Sequence, residues 1–293
     1  MVFIAGCASF INSTSRSNLP VTPEWTLQSS GVPLRAVWSS STGEVFAVGD
    51  YGVIMHYDGS RWSPMASRTT RPLSDVWGSS DSDVFAVGAM GRIVHFDGIA
   101  WSRMSSGTEW GLDGVWGSGP DDVFAVSDRG VILHYDGKSW STMKEALPVP
   151  VRSVWGSSSN DVYAVGGSFI LHYDGRSWSI ISRGTFRRLN DVWGSSSDDI
   201  YVVGGKGTIV HYDGVAWTAT QSDSTEDFRR IWGRSADDIY AVGRNGSIEH
   251  YDGTSWTRME RSSARGLSDV CGGTAGDIYA VESYKSELVI TVY

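Results

Sequence analysis

The histidines of this chain all stand in one short phrase whose residue types could support chemistry. The phrase reads HYDGRSW over residues 172–178 and recurs as HYDGSRW, HFDGIAW, HYDGKSW, HYDGVAW and HYDGTSW. A histidine close to a tyrosine and an aspartate is a common setting for acid–base catalysis or metal binding. The six histidines are His56, His95, His134, His172, His211 and His250.

A second phrase, L-x-x-V-W and its variants, shows that the chain is a repeat. Its tryptophan recurs every 38 or 39 residues, and the seventh copy has Cys271 in that place. The six tryptophans of this phrase are Trp38, Trp77, Trp116, Trp155, Trp193 and Trp232. A fixed period of about 40 residues is typical of solenoids, propellers and arrays.

Each repeat contains four short apolar runs that are separated by turn-forming residues. Within residues 189–220 the runs are LNDVW, DIYVVG, TIVHY and AWTAT, with GSSSDD, GGKG and YDG between them. The runs are rich in β-branched and aromatic residues, and they lack the periodicity of a helix. Four antiparallel strands in about 40 residues are typical of a propeller blade.

The order of the strands predicts how such a ring closes. A fourth-strand phrase, PEWTLQ around Trp25, comes before any complete blade, and the chain ends with a third-strand phrase, ELVITVY. We therefore predict an all-β, seven-bladed β-propeller over residues 21–293, with four antiparallel strands per blade. The N-terminal strand would complete the last blade, which removes an open sheet edge.

Repetition favours a structural role for the aromatic phrase, because a catalytic residue is needed only once. Asp-Gly in YDG predicts a tight turn between the third and fourth strands. We interpret the histidines as residues that hydrogen-bond locally or pack between blades. Thirteen of the fourteen tryptophans belong to the repeat, and we assign them to the core.

The repeat resembles two groups of known propellers. D-G-x-x-W on a four-stranded blade resembles the Asp-box, or BNR, repeat of sialidases, whose full form is S-x-D-x-G-x-x-W. The phrase A-V-G-x-x-G-x-I-x-H resembles the repeats of the photosystem II assembly-factor family. The resemblance covers residues from about 25 to 293. It implies a propeller fold that serves sialidases, lectins, assembly factors and scaffolds alike, so function has to be argued from a site.

No catalytic centre stands out, and we expect a protein without enzyme activity. A Ser-His-Asp triad would need a histidine outside the repeat, and the sequence has none. No unique pair of carboxylates suggests glycoside hydrolysis, and the R-I-P-like phrase of sialidases is missing. The Asp-rich turns offer fewer oxygens than the roughly six to eight that calcium takes, which favours solvated turns. We assign no catalytic residue, metal or cofactor.

The charge and composition of the chain argue against some classes of partner and structure. The net charge of −9 argues against a nucleic-acid surface, which requires a basic stripe. Two cysteines cannot form a disulfide framework. No stretch reaches the roughly 18 to 20 apolar residues of a membrane span.

The N-terminal residues 1–20 form a separate segment in this reading. Ile4-Ala5-Gly6-Cys7 resembles a bacterial lipobox, and a Ser/Asn-rich linker follows it. Only six residues precede Cys7, too few for a complete signal peptide, so either the start is truncated or the match is accidental. On the first alternative, Cys7 is lipidated and the protein lies in the cell envelope or periplasm of a bacterium.

One face of the predicted disc is better suited to binding than the other. The turns between strands one and two and between strands three and four form a monotonous Asp-rich face. The turns between strands two and three and the links between blades form a varied face, and such loops commonly bind partners. Tryptophan and arginine often anchor interfaces. We predict that partner binding involves Trp110, Arg68, Arg71, Phe186, Arg187, Arg188, Arg229 and Arg230.

These observations favour a non-catalytic protein-binding or assembly module that is displayed outside the cytoplasm. The alternative is a lectin-like propeller that binds glycans between its blades or near the channel; a glycosidase is less favoured. A lectin should repeat its pocket residues, whereas the varied face does not repeat its tryptophan, and this favours a single protein partner.

Overall fold

The computed structural model of the protein describes residues 24–29, 32–144, 147, 149–182, 187–222, 224–259, 265–273, 276–282 and 287–292. Phe186 and Cys7, both singled out by the sequence, lie outside these residues. The described part of the chain consists of β-strands, turns and three 3-10 turns. The 3-10 turns are Asp50–Gly52, Gly205–Gly207 and Arg244–Gly246. None of the described segments is a helix of the length and apolarity that crossing a membrane requires.

The first strand, β1 (Glu24–Ser29), precedes six sheets that are each built from four consecutive antiparallel strands. We call these sheets blades 1 to 6. Blade 1 contains β2 (Leu34–Ser39), β3 (Val45–Gly49), β4 (Ile54–Tyr57) and β5 (Trp62–Met65). Blade 2 contains β6 (Leu73–Ser80), β7 (Asp83–Gly88), β8 (Arg92–Phe96) and β9 (Trp101–Met104). Blade 3 contains β10 (Leu112–Gly119), β11 (Asp122–Ser127), β12 (Ile132–Tyr135) and β13 (Trp140–Lys144).

The remaining strands continue the same pattern. Blade 4 contains β14 (Ser153–Ser158), β15 (Asp161–Gly166), β16 (Phe169–Tyr173) and β17 (Trp178–Ser182). Blade 5 contains β18 (Leu189–Ser196), β19 (Asp199–Gly204), β20 (Thr208–Tyr212) and β21 (Trp217–Gln221). Blade 6 contains β22 (Phe228–Ser235), β23 (Asp238–Gly243), β24 (Ile248–Tyr251) and β25 (Trp256–Arg258). The predicted all-β propeller with four antiparallel strands per blade is confirmed.

A further sheet is composite, because its strands come from both ends of the chain. It contains β26 (Leu267–Gly272), β27 (Ile278–Glu282) and β28 (Glu287–Val292), and β1 lies at its outer edge. Strand β1 runs antiparallel to β28, from Glu24 opposite Val292 to Ser29 opposite Glu287. This is the partner that the sequence assigns to the N-terminal strand. That the pairing closes the ring in solution stays a prediction.

The hydrophobic core lies between adjacent blades. Phe46 and Val48 of blade 1, for example, pack with Leu73, Val76 and Val84 of blade 2 in one buried cluster. The inner faces of neighbouring sheets therefore share one layer of apolar side chains, as in other packed sheets. Each blade depends on its neighbours for burial of its own apolar face.

The tryptophan of L-x-x-V-W packs against a glycine of the next blade. A β-carbon added to Gly156 would lie 2.6 Å from the Cη2 atom of Trp116, and one added to Gly117 equally close to Trp77. That separation is too short for two carbons, which explains why glycine follows tryptophan in the repeat. The pairs are Trp38/Gly78, Trp77/Gly117, Trp116/Gly156, Trp155/Gly194, Trp193/Gly233 and Trp232/Gly272.

The seam between the composite sheet and blade 1 departs from this pattern on both sides. Cys271 replaces the tryptophan, and Ser39 replaces the glycine that would face it. Cys271 is buried with Leu34 and Val37, and burial raises the pKa of its thiol, so it serves as a small neutral packing group. The Ser39 hydroxyl donates a hydrogen bond to the carbonyl of Gly272. The two replacements fit each other, because a serine side chain leaves no room for an indole.

This seam yields a first testable prediction. Cys271→Trp should destabilise the protein by about 1–3 kcal/mol, because the indole would be forced against Ser39. The double variant Ser39→Gly/Cys271→Trp should recover most of that loss, since it rebuilds the pair found at the other junctions. Urea unfolding of both variants and of Ser39→Gly alone measures the coupling. Additive effects would show that residues 39 and 271 do not share this space.

Candidate functional site

Each histidine of the repeated phrase pairs with the carboxylate that lies at the start of the second strand. His172 Nε2 lies 2.7 Å from Asp161 Oδ1, and the ring of His211 stacks on Tyr201 with centroids 4.1 Å apart. The prediction that the histidines bond locally is confirmed. The six pairs are His56–Glu44, His95–Asp83, His134–Asp122, His172–Asp161, His211–Asp199 and His250–Asp238.

In four blades a serine completes a Ser–Asp–His group whose order is unsuited to catalysis. Ser157 Oγ donates to Asp161 Oδ2 at 2.5 Å, while His172 holds the other oxygen of the same carboxylate. In a catalytic triad the histidine stands between the serine and the acid and takes the proton of the serine. Here the carboxylate is the middle member, so the serine has no base. The group instead ties the turn between strands one and two to the third strand.

The Asp-Gly turns of the Asp-rich face are also satisfied internally. Asp58 Oδ1 accepts hydrogen bonds from the backbone N–H groups of Ser60 and Arg61, both at 2.9 Å. Hydrogen bonds from Ser60 and from these N–H groups lower the pKa of Asp58 to about 2. Gly59 adopts a φ of +86°, as the predicted tight turn requires. Within the described residues, no group of three or more His, Cys, Asp or Glu is arranged to hold a metal ion.

A largely buried arginine lies in the central channel, where the sequence did not lead us to expect a charge cluster. Arg230 occupies the third position of its first strand, and Asp75, Asp191 and Asp269 occupy that position in other blades. Its guanidinium nitrogens lie 3.7, 3.8 and 3.4 Å from oxygens of these three carboxylates. The signal available in the sequence was an arginine in one copy of L-x-D-V-W where three other copies have aspartate.

Burial determines the protonation of this cluster. It raises the pKa of Asp75 to about 6 and that of Asp269 to about 7, although Arg230 acts in the opposite direction. Burial also opposes the charge of Arg230, but Asp75, Asp191 and Asp269 together raise its pKa above the ordinary value. The guanidinium therefore stays charged, and one cation serves three buried acids.

The same carboxylates connect neighbouring blades around the channel. Asp75 Oδ2 accepts from the N–H of Val115, and Asp191 Oδ2 from that of Ile231, at 2.9 and 2.7 Å. Asp269 Oδ2 accepts a hydrogen bond from the N–H of Val37 at 2.8 Å, across the seam between the composite sheet and blade 1. Because Arg230 is committed to these acids, we leave it out of the partner-binding surface.

The mouth of the channel on the varied face is a cavity of about 320 Å³ with five arginines in its wall, one of them Arg230. Arg35 pairs with Asp50 at 2.7 Å, and Arg188 Nε donates to Asn190 Oδ1 at 2.8 Å. Arg152 Nε is buried and has no hydrogen-bond partner. Arg229 Nη1 donates to the carbonyl of Leu267 at 3.4 Å. Three of the predicted residues, Arg188, Arg229 and Arg230, are therefore brought together here, and Arg230 is held by the acids of the channel.

Trp110 lies in the link between blades 2 and 3 and is 52% exposed. The guanidinium of Arg129 lies 5.3 Å from the centre of its indole ring, a cation–π contact that holds the ring at the surface. Its backbone N–H donates to Thr108 Oγ1 at 3.2 Å. The prediction that Trp110 lies outside the core is confirmed; its role in binding stays a prediction.

The other predicted residues of the varied face are spread along the links. Arg68 and Arg71 are exposed in the link between blades 1 and 2, and Arg187 is half-buried in the link before blade 5. Arg71, Trp110 and Arg187 share one position, two residues before the first strand of their blades. Their side chains therefore form an arc on the varied face.

Sequence reasoning missed two exposed apolar residues on this face. Tyr51 and Met90 lie at the tips of the turns between strands two and three, and they are 74% and 55% exposed. Both have left-handed backbone conformations, each with a φ of +58°. A signal was present, because each is a large side chain directly before the turn glycine.

Comparisons with known proteins identify the fold. No protein-family model matches this chain, and no curated protein sequence is significantly similar to it. The structure of YCF48 bound to D1 peptide superposes with a TM-score of 0.75 at 16% identity, over 92% of this chain and 97% of that one. YCF48 from Cyanidioschyzon merolae gives a TM-score of 0.73 at 17% identity, over 92% and 98% of the two chains.

A third solved structure, the WD40 β-propeller domain of Doa1, gives a TM-score of 0.77 at 13% identity, over 90% of this chain and 94% of that one. Identities this low reflect architecture alone. Together with the strand topology, these similarities establish that the chain has the β-propeller fold.

Proposed function

We propose that this protein is a non-catalytic binding or assembly module that holds a protein partner on its varied face. The observation that carries the proposal is Trp110, a large aromatic side chain that is half exposed and contacts the guanidinium of Arg129. Such residues anchor interfaces more often than other surface residues. On the Asp-rich face, by contrast, the repeated polar groups already bond to one another.

A structural neighbour supports this function by analogy. YCF48, which has the same architecture, has been solved bound to D1 peptide, so a propeller of this kind can hold a peptide. The analogy rests on fold, and the residues that would make the contact belong to this chain.

The proposal is tested by cross-linking in cells of the source organism. A photoreactive amino acid at position 110 should capture one dominant protein partner. The matched control is position 215, because Val215 is also apolar and is 88% exposed, but lies in a turn of the Asp-rich face. Capture from position 215 and none from position 110 would assign binding to the other face.

With the partner in hand, Trp110→Ala should weaken binding at least about tenfold and leave the melting temperature nearly unchanged. The indole contributes little to the core, since the repeat tryptophans Trp101 and Trp116 already pack in the adjoining blades. Asp198→Ala on the Asp-rich face should leave the affinity unaltered. Unfolding of Trp110→Ala would mean that the indole is a core residue.

We also propose that the module is displayed outside the cytoplasm on a lipid anchor. Support comes from Ile4-Ala5-Gly6-Cys7 followed by a Ser/Asn-rich linker, the pattern of a lipidated envelope protein. Mass spectrometry of the native protein should then find a lipidated Cys7 as its first residue. An unmodified Cys7 behind an intact Met1 would contradict this location without affecting the binding proposal.

A further inference from the structure

Two turn tips on the varied face expose large side chains from left-handed backbone conformations. Tyr51 and Met90 adopt left-handed conformations, which are unfavourable for a non-glycine residue. Their side chains stand in solvent, so neither gains burial in return. Lys206 and Asn245 adopt the same conformation at this turn position in blades 5 and 6, so Tyr51 and Met90 are distinguished by their large exposed side chains.

The tips lie against the links that carry the other exposed residues. Gly91, next to Met90, packs on the carbonyl of Thr108, and a β-carbon added to Gly111 would lie 4.0 Å from Ala89 Cα. Trp110 stands between Thr108 and Gly111, and Met90 between Ala89 and Gly91. Met90 and Trp110 are therefore carried by backbone segments in direct contact.

The same arrangement recurs one blade earlier. Gly52, next to Tyr51, packs on the carbonyl of Thr69, directly after Arg68. Arg68 is itself left-handed, with a φ of +60°. The tip at Tyr51 thus borders a link that carries arginine.

A basic cluster of Arg71, Arg92 and Arg103 adjoins these tips. Burial lowers the pKa of Arg92, and the like charges of Arg103 and Arg71 lower it further. Arg103 Nε donates to the carbonyl of Arg68, and Arg92 Nε is buried without a partner. Within the described residues none of these arginines forms an ion pair, although the chain as a whole carries a net charge of −9.

We propose that Tyr51, Met90, Trp110 and the basic cluster bind an acidic peptide segment of the protein partner that carries an aromatic or large aliphatic side chain. Its carboxylates would pair with the unpaired arginines, and its apolar side chain would lie on Met90 and Trp110. This inference rests on the proposed function and specifies the chemistry of the partner.

Charge favours a short peptide over a long polyanion. The negative charge of the whole molecule repels an extended nucleic acid, whereas a few carboxylates feel mainly the local field within about 8 Å at physiological salt. Glu109 next to Trp110 is the one acid of that link, and it would disfavour a segment that is acidic along its whole length. The partner segment should combine a small acidic cluster with its apolar anchor.

The test is selection of short random peptides displayed on phage, with the whole protein as bait. The selected sequences should be enriched in Asp or Glu beside Phe, Trp, Leu or Met. A synthetic peptide of the consensus should bind in calorimetry, shift the ¹³C-methyl resonance of Met90 and lose affinity as salt increases. Peptides without acidic residues, or binding without a shift at Met90, would overturn the inference.

Two matched pairs of variants separate this site from a structural effect. Met90→Gly should weaken the consensus peptide about tenfold while the melting temperature stays level or rises, because glycine relieves the strain. Lys206→Gly relieves the same conformation in blade 5 and should leave binding unchanged. Arg71→Gln should weaken binding about tenfold, and Lys138→Gln on the Asp-rich face should not.

Equal binding by Met90→Gly, Arg71→Gln and the parent would place the peptide elsewhere and contradict the inference. The proposed function is tested separately, because cross-linking from position 110 captures a partner whatever its amino-acid composition. A partner captured there together with peptides lacking acids would refute the acidic segment and keep the binding module.

Discussion

Deletion of residues 1–30 is expected to abolish most of the stability of the protein and to cause aggregation. The deletion removes β1, which forms the outer strand of the composite sheet and pairs with β28 over six residues. At roughly 0.5–1.5 kcal/mol for each lost backbone hydrogen bond, the cost is on the order of 5 kcal/mol. An exposed edge at β28 would also offer its free N–H and C=O groups to other chains.

Circular dichroism melts and size-exclusion chromatography measure this effect. The control is deletion of residues 1–18, which leaves β1 intact and should melt like the parent. If the longer deletion is monomeric and melts at the parental temperature, the seam between the ends of the chain is not what holds the ring together.

Replacement of Arg230 by methionine should produce the second large effect. The change keeps much of the volume but removes the cation that faces Asp75, Asp191 and Asp269. Removal of one partner from a buried ion pair typically costs about 3–5 kcal/mol, because the remaining charge is left uncompensated. Exposed Arg61, replaced in the same way, should change stability by less than about 1 kcal/mol.

The loss should depend on pH in a direction set by the raised pKa values. In the folded parent, the carboxyls of Asp75 and Asp269 titrate at about 6 and 7, above the ordinary value of 3.8. Between the unfolded and the folded pKa values, these two acids bind more protons in the folded state than in the unfolded state. Their contribution to stability is therefore fully present below pH 3.8 and is lost as the pH rises through about 6 to 7. Without Arg230 the acids hold their protons more tightly, and the fall should be steeper.

Urea unfolding of the parent and of Arg230→Met at about pH 5 and pH 8 measures both effects. The difference between the two proteins should be larger at pH 8, where the acids are ionised. Adding Asp269→Asn to Arg230→Met should restore part of the stability at pH 8, since it removes one unpaired charge. A loss that is independent of pH would show that Arg230 acts through packing.

We expect different parts of the propeller to serve stability and binding. The repeated groups of the Asp-rich face and the channel bond to one another, so substitutions there should appear as changes in stability. The exposed side chains of the varied face have few partners in the described structure, so substitutions there should appear as changes in binding. Measuring melting and affinity for each variant therefore shows to which task a residue belongs.

The sequence by itself determined the features that depend on neighbouring residues along the chain. The spacing of the tryptophans, the alternation within each strand and the Asp-Gly turns predicted four-stranded blades, because strand and turn formation are governed by local backbone chemistry. Repetition was enough to remove the histidines from the list of catalytic candidates. The absence of a repeat partner was enough to place Trp110 outside the core.

The tertiary structure alone decided what lies between blades, because such contacts join residues that are far apart in the chain. Sequence could not show that each tryptophan rests on the glycine of the next blade, or that Ser39 and Cys271 compensate for each other at the seam. It assigned Arg230 to partner binding, whereas the structure places this side chain within reach of acids from three other sheets. The left-handed tips at Tyr51 and Met90 likewise became visible only in the backbone angles, since a turn of given length can place a large residue in more than one conformation.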